Sequence, residues 1–294
     1  MKSLAAFVMR GRWAAVLVLV AASLMPLLAW LGGAALALVT LRRGGADGAL
    51  TGLVAAVVFG VLAAASGSPP QAALLVLLEF WLPVWLVAVW LRWSVSLSSA
   101  LQLAAVLAGV AVVGFYLVHG DPGQFWQAQL EAARQQLGVS EANADAWQSL
   151  VNELLPYMTG LWALNLLGVV IVSVLLGRWW QALLYNPGGF RAEFHQLRLG
   201  RTFAVAAALL VLGGILSGAG LVSDTGFVVS SIFVLQALAV AHGVAALRSW
   251  NLIGLVAVYL LLPFLFRVYA AIGIADVFVD VRRRLAGGGT SSGA

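Results

Sequence analysis

The stretch LLVLLEFWLPVW, residues 74–85, places one carboxylate inside a long run of apolar side chains. Glu79 is the only formally charged residue between Asp47 and Arg92. An apolar run of about 20 residues is long enough to cross the hydrocarbon core of a bilayer as an α-helix. The stretch therefore predicts a transmembrane helix with a charge inside it, and it raises the question of what the neighbouring helices enclose.

The composition of the whole chain extends this interpretation. Of its 294 residues, 63% are hydrophobic and 9% are charged, whereas a soluble domain carries roughly 25% charged residues. So few charges cannot cover a water-exposed surface, and we expect the lipid bilayer to be the main solvent. The predicted fold is all-α, a polytopic transmembrane helical bundle of about eight membrane segments. It forms a single domain over residues 1–285, with a flexible tail over 286–294.

Six apolar segments are each long enough for a membrane span and are bounded by charges or turn residues. They lie near residues 49–66, 71–91, 96–117, 157–177, 202–222 and 227–247. Two further apolar regions, 13–40 and 251–275, contain Pro26 and Pro263. Because proline removes a backbone donor and crowds the preceding turn, these two regions are predicted to form kinked or broken helices.

The charges orient the predicted spans. Arginines lie at alternate connections, including 178–201, whereas the connection 118–155 holds five acidic residues and one arginine. The positive-inside rule places the arginine connections in the cytoplasm and the acidic connection outside. With broken end helices, both termini are expected inside. The chain is predicted to be a multi-pass protein of the bacterial inner (cytoplasmic) membrane.

The acidic connection 118–155 is predicted to form an amphipathic extracytoplasmic hairpin of two helices. Asp121 and Pro122 have the residue types expected at an N-cap and at the first helical position. A second helix is predicted from Ser140. Trp126 and Trp147 fall on the apolar faces, which suits helices lying on the outer membrane surface. The hairpin is either an element with no further role or a lid over an outward-facing cavity.

Glu79 is the first candidate for a binding residue. A charge at the centre of a membrane helix costs about 2.5–3.5 kcal/mol on insertion scales. The carboxylate either binds a ligand, ion or proton in the bundle interior, or packs as a protonated or hydrogen-bonded group. Pro83 frees the carbonyl of residue 79 from its usual hydrogen bond, and such a kink favours a cavity. The candidate ligand-binding residues are Glu79, Trp81, Trp85, Asn165, Gln236 and Arg267.

Two of these candidates have alternative interpretations. Amide side chains such as Gln236 more often join helices than bind ligands. Arg267, near Pro263, is predicted to be a buried cation that pairs with Glu79 or Asp276.

Small residues spaced four apart mark close helix contacts. One such track is Ala29, Gly33 and Ala37, and another is Gly214 and Gly218. The tracks either pack within the chain or form a docking face for another membrane protein.

Several functional classes have no support in the sequence. Cysteine is absent, the three histidines are widely spaced, and no GxSxG, HExxH or phosphate-binding loop occurs. We predict no catalytic residue, metal, cofactor or nucleic-acid partner, and we do not expect an enzyme. Asp276 and Asp280 resemble a paired-carboxylate site, but the simpler interpretation is that they neutralise the arginines that follow.

Three stretches together carry a resemblance to a known family: NPGGFRAEFHQLRLGR (186–201), FVLQALAVAHG (233–243) and GIADVFVDVRRR (273–284). In this order they resemble the YybS-like family of bacterial membrane proteins, a domain of unknown function. The motif residues are Gly189, Phe190, Arg198, Gln236, His242, Gly273, Asp276, Asp280 and Arg282.

That family is in turn similar to the substrate-binding S components of energy-coupling-factor transporters. The resemblance implies a helical bundle that binds or helps to transport a small molecule from the outer side. It also implies that the chain lacks an ATPase and meets a separate energising subunit, with Ala29, Gly33 and Ala37 as a comparable contact track. The alternative is a ligand-free membrane scaffold or assembly factor that packs against another membrane subunit.

Overall fold

The computed structural model describes residues 1–67, 69, 71–247 and 252–287, and every regular element in these ranges is helical. The predicted all-α class is confirmed. The predicted tail 286–294 begins inside the last helix, which ends at Gly287, and residues 288–294 lie outside the described residues.

The helices of the first half follow the apolar runs of the sequence. They are α1 (Lys2–Val8), α2 (Arg12–Ser23), α3 (Ala29–Arg43), α4 (Gly45–Ala65), α5 (Gln71–Val76), α6 (Leu82–Ser94) and α7 (Leu97–His119).

The second half begins with the two helices of the acidic connection. Its helices are α8 (Pro122–Gln136), α9 (Ala144–Leu154), α10 (Met158–Tyr185), α11 (Gly189–His195), α12 (Arg201–Ser217), α13 (Leu221–Ser231), α14 (Phe233–Leu247), α15 (Leu252–Leu261), α16 (Phe266–Val279) and α17 (Val281–Gly287).

Within the described residues, five continuous helical stretches are long and apolar enough to cross a membrane. They are Gly45–Ala65, Ala73–Ser94, Leu97–His119, Ala144–Tyr185 and Leu221–Ala246. The bent pair α15–α16 raises the number to six if it forms one span. The prediction of a helical membrane protein is therefore confirmed in outline, with fewer full-length spans than the eight segments predicted.

The predicted span 202–222 is too long. Helix α12 has 17 residues and measures about 26 Å at 1.5 Å per residue, slightly less than the roughly 30 Å of a hydrocarbon core. It ends where Gly218 adopts a φ of 80°, a left-handed conformation that glycine tolerates best.

Both apolar end regions are broken, as predicted from their prolines. Region 13–40 forms α2, a 3₁₀ turn over Pro26–Leu28 and α3. Helices α15 and α16 meet at an angle of 113° across a break that contains Pro263.

Helices α2 and α3 form a hairpin in which the start of α2 and the end of α3 lie at the same end of the bundle. Arg12, at the start of α2, forms an ion pair of 2.9 Å with Asp47 in the first turn of α4. Arg43, at the end of α3, donates a hydrogen bond of 2.8 Å to the carbonyl of Met9. The start of α2 and the end of α3 therefore both lie near the start of α4.

The same end of the bundle collects most of the arginines. Arg92, near the end of α6, donates to the carbonyl of Leu41 in α3. The guanidinium of Arg42 lies 4.1 Å from the ring centroid of Tyr185, the last residue of α10. We call this end, formed by residues 41–48, 91–99, 178–201 and 276–284, the arginine end.

The opposite end carries α8 and α9. Asp121 caps α8 by accepting a hydrogen bond of 2.9 Å from the Gly123 N–H, as predicted. Trp126 donates to the hydroxyl of Thr159 over 2.9 Å, which ties α8 to the start of α10. Helix α9 starts later than predicted, at Ala144, because residues after Ser140 first form a 3₁₀ turn.

Apolar side chains fill the centre of the bundle. One continuous core joins α3, α6, α7, α10 and α14, with buried residues from each. Representative members are Leu36, Val84, Leu101, Leu167 and Phe233. Interiors of this kind are close-packed, and burial of such side chains is the main contribution to packing in the core.

The small-residue tracks are used for contacts within the chain. A methyl group built on Gly33 would overlap the hydroxyl of Ser173 in α10, and one built on Gly177 of that helix would lie 2.7 Å from the methyl group of Ala37. Gly214 faces the backbone of Ser223 in α13. Gly33, Ala37 and Gly214 are buried in these helix contacts, Ala29 is half-buried, and Gly218 is exposed.

Candidate ligand-binding site

A buried polar network joins α14, α16 and the segment before α12 at the arginine end. Gln236 is fully buried. Its side-chain oxygen accepts a hydrogen bond of 2.7 Å from the backbone N–H of Leu199. Its amide nitrogen donates over 2.8 Å to the carboxylate of Asp276. Both polar ends of the buried amide are therefore satisfied, as buried polar groups require.

Arg282 completes this network from α17. It donates to the backbone carbonyls of His195, over 2.6 Å, and Leu197, over 2.8 Å. The same guanidinium lies 3.5 Å from the Asp276 carboxylate, which also accepts the N–H of Val281 over 3.0 Å. The arginine thereby fixes the path of the chain between α11 and α12.

A second ion pair closes the network on its exposed side. Arg198 lies 2.7 Å from the carboxylate of Asp280 and donates over 3.0 Å to the carbonyl of Val277. Asp280 has a φ of 51°, and this left-handed residue ends α16 so that α17 turns back toward the segment before α12. Asp276 neutralises Arg282, as the simpler interpretation of the sequence predicted, whereas Asp280 pairs with Arg198, which precedes it by 82 residues instead of following it.

Two glycines allow the helices to approach closely enough for these contacts. A methyl group on Gly273 would lie 2.0 Å from the carbonyl oxygen of Phe233, so α14 and α16 touch through their backbones. A methyl group on Gly243 would lie 3.0 Å from the side chain of Arg282.

A cavity of about 410 Å³ lies beside the network, between α11, α14 and α15. We call it the aromatic cavity. It is lined by Phe190, Arg191, Phe194, His195, His242, Ala245, Ala246 and Leu255.

Aromatic rings form the walls of this cavity. Phe190 and Phe194 stack with centroids 6.1 Å apart, and the rings of His195 and His242 also lie 6.1 Å apart. The Nε2 atom of His242 is 2.8 Å from the hydroxyl of Tyr259, which fixes the orientation of its ring.

The electrostatics of the aromatic cavity favour a neutral histidine beside one cation. Burial lowers the pKa of His195, and the positive charges of Arg191 and Arg282 lower it further. At neutral pH the imidazole of His195 can therefore donate and accept hydrogen bonds while Arg191 carries the positive charge.

A separate cavity of about 300 Å³ lies on the other side of the network. We call it the basic cavity. It is lined by Arg198, Arg201, Phe278, Val279, Asp280, Arg283 and Arg284.

The structure places Glu79 away from both cavities. Glu79 lies half-buried in a π-helical turn, Leu77–Trp81, whose last bond runs from the N–H of Leu82 to the carbonyl of Leu77. Such a turn follows from Pro83, which cannot continue the regular hydrogen bonding. Over the described residues, no side-chain hydrogen bond or ion pair reaches the Glu79 carboxylate.

The two tryptophans predicted beside Glu79 have packing roles. Trp81 is 2% exposed and meets Phe59 edge-on, with centroids 6.1 Å apart. The indole N–H of Trp85 donates over 2.8 Å to the carbonyl of Gly45, near the start of α4.

Two further predicted positions are corrected by the structure. Asn165 lies on an exposed face of α10 rather than in the bundle interior. Arg267 is exposed instead of buried, and its guanidinium lies 5.7 Å from the ring centroid of Phe227. Neither Glu79 nor Asp276 pairs with it, because Asp276 is occupied by Gln236 and Arg282.

The motif residues, in contrast, converge at the arginine end. Phe190 and His242 line the aromatic cavity, and Arg198 and Asp280 line the basic cavity. Gln236, Asp276 and Arg282 form the hydrogen bonds of the network. Gly273 allows the close contact of α16 with α14, and Gly189 is the first residue of α11.

Of the eight residues that line the aromatic cavity, sequence reasoning named only Phe190 and His242 as site or motif residues. The polar and aromatic residues that it missed are Arg191, Phe194 and His195. Phe194 lies four residues after Phe190, and His195 lies four residues after Arg191, within one short helix. This spacing, which brings side chains together on a helix, was the available signal. It also missed a partly buried pair at the opposite end, where Tyr116 donates over 2.8 Å to the carboxylate of Asp224.

No protein family model, no curated protein and no solved structure matches this chain.

Proposed function

We propose that this chain is a multi-pass protein of the bacterial inner membrane that binds a small molecule in the aromatic cavity. In this proposal it acts as a transporter S component does, without an ATPase of its own. The observation that carries the proposal is the aromatic cavity itself, where two of the three resembling stretches supply five of the eight lining residues.

The orientation follows from where the charges lie. The ion pair between Arg12 and Asp47 and the contact of Arg42 with Tyr185 collect arginines at one end of the bundle. Asp121 and Asp224 lie toward the opposite end. We therefore assign the arginine end to the cytoplasm, and α8 and α9 to the outer surface.

This orientation also assigns the termini. The α2–α3 hairpin and the bent α15–α16 pair enter the bilayer and return, so both termini are cytoplasmic. The aromatic cavity then opens toward the cytoplasmic face, rather than toward the outer side that the resemblance to S components implies.

The lining of the cavity defines the class of ligand. A volume of about 410 Å³ lies in the range of ordinary small-molecule sites. Phe190 and Phe194 offer ring faces to an apolar or planar body, and Arg191 offers a cation to an acidic group. We infer a small molecule with an apolar or aromatic part and one carboxylate or phosphate.

The test is to identify molecules that copurify with the protein in mild detergent, by mass spectrometry after denaturation. The double variant R191Q/F194A is compared with F264A, which alters a phenylalanine that is 84% exposed at the break between α15 and α16. The proposal expects a compound in the wild type and F264A that R191Q/F194A lacks. The same molecules in all three proteins would contradict it.

A ligand-free scaffold or assembly factor is the second candidate, and the filled interior favours it. The core from α3 to α14 is continuous, and the network of Gln236, Asp276 and Arg282 is satisfied within the chain. Affinity purification in mild detergent separates the two candidates. An S-component role requires an energising subunit with an ATPase, whereas a scaffold brings down a membrane protein and no ATPase.

A further inference from the structure

We propose that the basic cavity binds the phosphate group of an anionic membrane phospholipid. This site is separate from the aromatic cavity, so the inference does not depend on the proposed small-molecule ligand. It depends on the membrane location of the bundle, which its long apolar helices support.

The first reason is uncompensated positive charge. Four arginines and one aspartate line the cavity, and Asp280 is already paired with Arg198 at 2.7 Å. Across the described ranges, no side-chain hydrogen bond or ion pair reaches the guanidinium groups of Arg201, Arg283 or Arg284. Three forked donors are therefore available to phosphate oxygens, the acceptors that guanidinium groups bind best.

The second reason is the position of Arg201. It is the first residue of α12, where the positive end of the helix dipole disfavours a cation. The helix thus gains nothing from an arginine at this position, whereas an anion in the cavity would be attracted by both the helix end and the guanidinium.

The apolar part of the lining indicates a lipid rather than a free phosphate. Phe278 is 48% exposed and Val279 is 39% exposed at the end of α16, which belongs to a bent helix pair that is apolar and long enough, taken together, to cross a membrane. These apolar side chains can contact the acyl chains of a lipid, and the arginines directly beside them at the helix end can bind its anionic headgroup.

The turn at Asp280 brings the two sides of the cavity together. Its left-handed conformation ends α16 and lets α17 turn back, so that Arg283 and Arg284 share a cavity with Arg198 and Arg201. The network below this turn, through Arg282 and Asp276, keeps that geometry without using any of the three unpaired arginines.

The test uses native mass spectrometry of the full-length protein in mild detergent. Phosphatidylglycerol, phosphatidylcholine or inorganic phosphate is added separately, and the bound fraction is measured against concentration. The variant R201Q/R283Q removes two unpaired arginines of the cavity. Its matched control, R10Q/R267Q, removes the same charge from exposed positions that do not line the cavity.

We expect the wild type and the control to bind phosphatidylglycerol more tightly than phosphatidylcholine, and R201Q/R283Q to lose about tenfold in that affinity. Equal binding of both lipids, or equal loss in both variants, would overturn the proposal. Binding of inorganic phosphate that the variant abolishes, without a preference for phosphatidylglycerol, would assign the cavity to a soluble anion. Thermal unfolding of all proteins shows whether the variants are folded, and R201Q alone replaces the double variant if they are not.

Discussion

The side-chain amide of Gln236 donates a hydrogen bond to the carboxylate of Asp276 over 2.8 Å, although 40 residues separate them in the chain. Neither group is accessible to water, since Gln236 is 0% and Asp276 is 2% exposed. Each therefore satisfies a polar group that would otherwise be costly to bury. This contact locks α14 to α16 at the arginine end, and the cavities on both sides of it depend on that position.

Replacing Gln236 with leucine should destabilise the protein by about 2–4 kcal/mol, because the Leu199 N–H and the Asp276 carboxylate each lose a buried partner. Unfolding in detergent, followed by tryptophan fluorescence, measures the change. The matched control is Asn165→Leu, the same type of exchange on an exposed face of α10. Equal effects of the two substitutions would show that the network contributes no stability.

Gly273→Ala should be among the most damaging single-methyl additions in the chain. The new methyl group would lie 2.0 Å from the carbonyl oxygen of Phe233, so α14 and α16 must separate, at a cost of at least about 2 kcal/mol. The midpoint of thermal unfolding should fall. Gly114→Ala is the control, because no atom lies within 4 Å of the new methyl group. A helical glycine changed to alanine there should be neutral or slightly stabilising.

The orientation of the bundle is testable because the chain has no cysteine. Single cysteines at Ser140, between α8 and α9, and at Asn186, between α10 and α11, are treated with a membrane-impermeant maleimide. Only S140C should react in intact cells, and N186C should react after the membrane is opened. S3C, near the start of α1, should behave like N186C. Labelling of S3C in intact cells would exclude the proposed α2–α3 hairpin orientation.

Stability should fall on mild acidification, partly through His195. Burial and the neighbouring charges lower its pKa in the folded protein, so the unfolded chain binds more protons between that lowered value and about 6.5. The stabilisation is complete above about pH 6.5 and is lost as the pH falls through the folded pKa. Thermal unfolding of the wild type and H195Q from about pH 8 to about pH 5.5 checks this. The pH dependence of H195Q should be flatter, whatever its absolute stability.

Glu79→Gln should not reduce stability, because the structure shows no partner for the carboxylate among the described residues. Removing a charge from a membrane segment should leave the protein equally or more stable. Asp276→Asn is the control, since the same change breaks a buried ion pair with Arg282 and should cost about 3 kcal/mol or more. A loss of stability or of copurified ligand in E79Q would restore Glu79 as a functional residue.

The sequence predicted what depends on neighbouring residues. The breaks at Pro26 and Pro263 follow from a missing backbone donor, and the Asp121 cap follows from a side chain that reaches the adjacent N–H. The sequence could not place Asn165 or Arg267, because the helices that carry them are apolar on most sides. Hydropathy then does not reveal which face turns toward the bundle.

The sequence by itself determined a helical membrane protein, the places of its long apolar helices and the breaks near both ends. These features are local, since a backbone in hydrocarbon must satisfy its hydrogen bonds within its own segment. Only the tertiary structure decided that Gln236 meets Asp276, that Arg198 meets Asp280, and that Glu79 meets neither cavity. Such contacts depend on the rotation and depth of each helix, which packing against several distant segments fixes together.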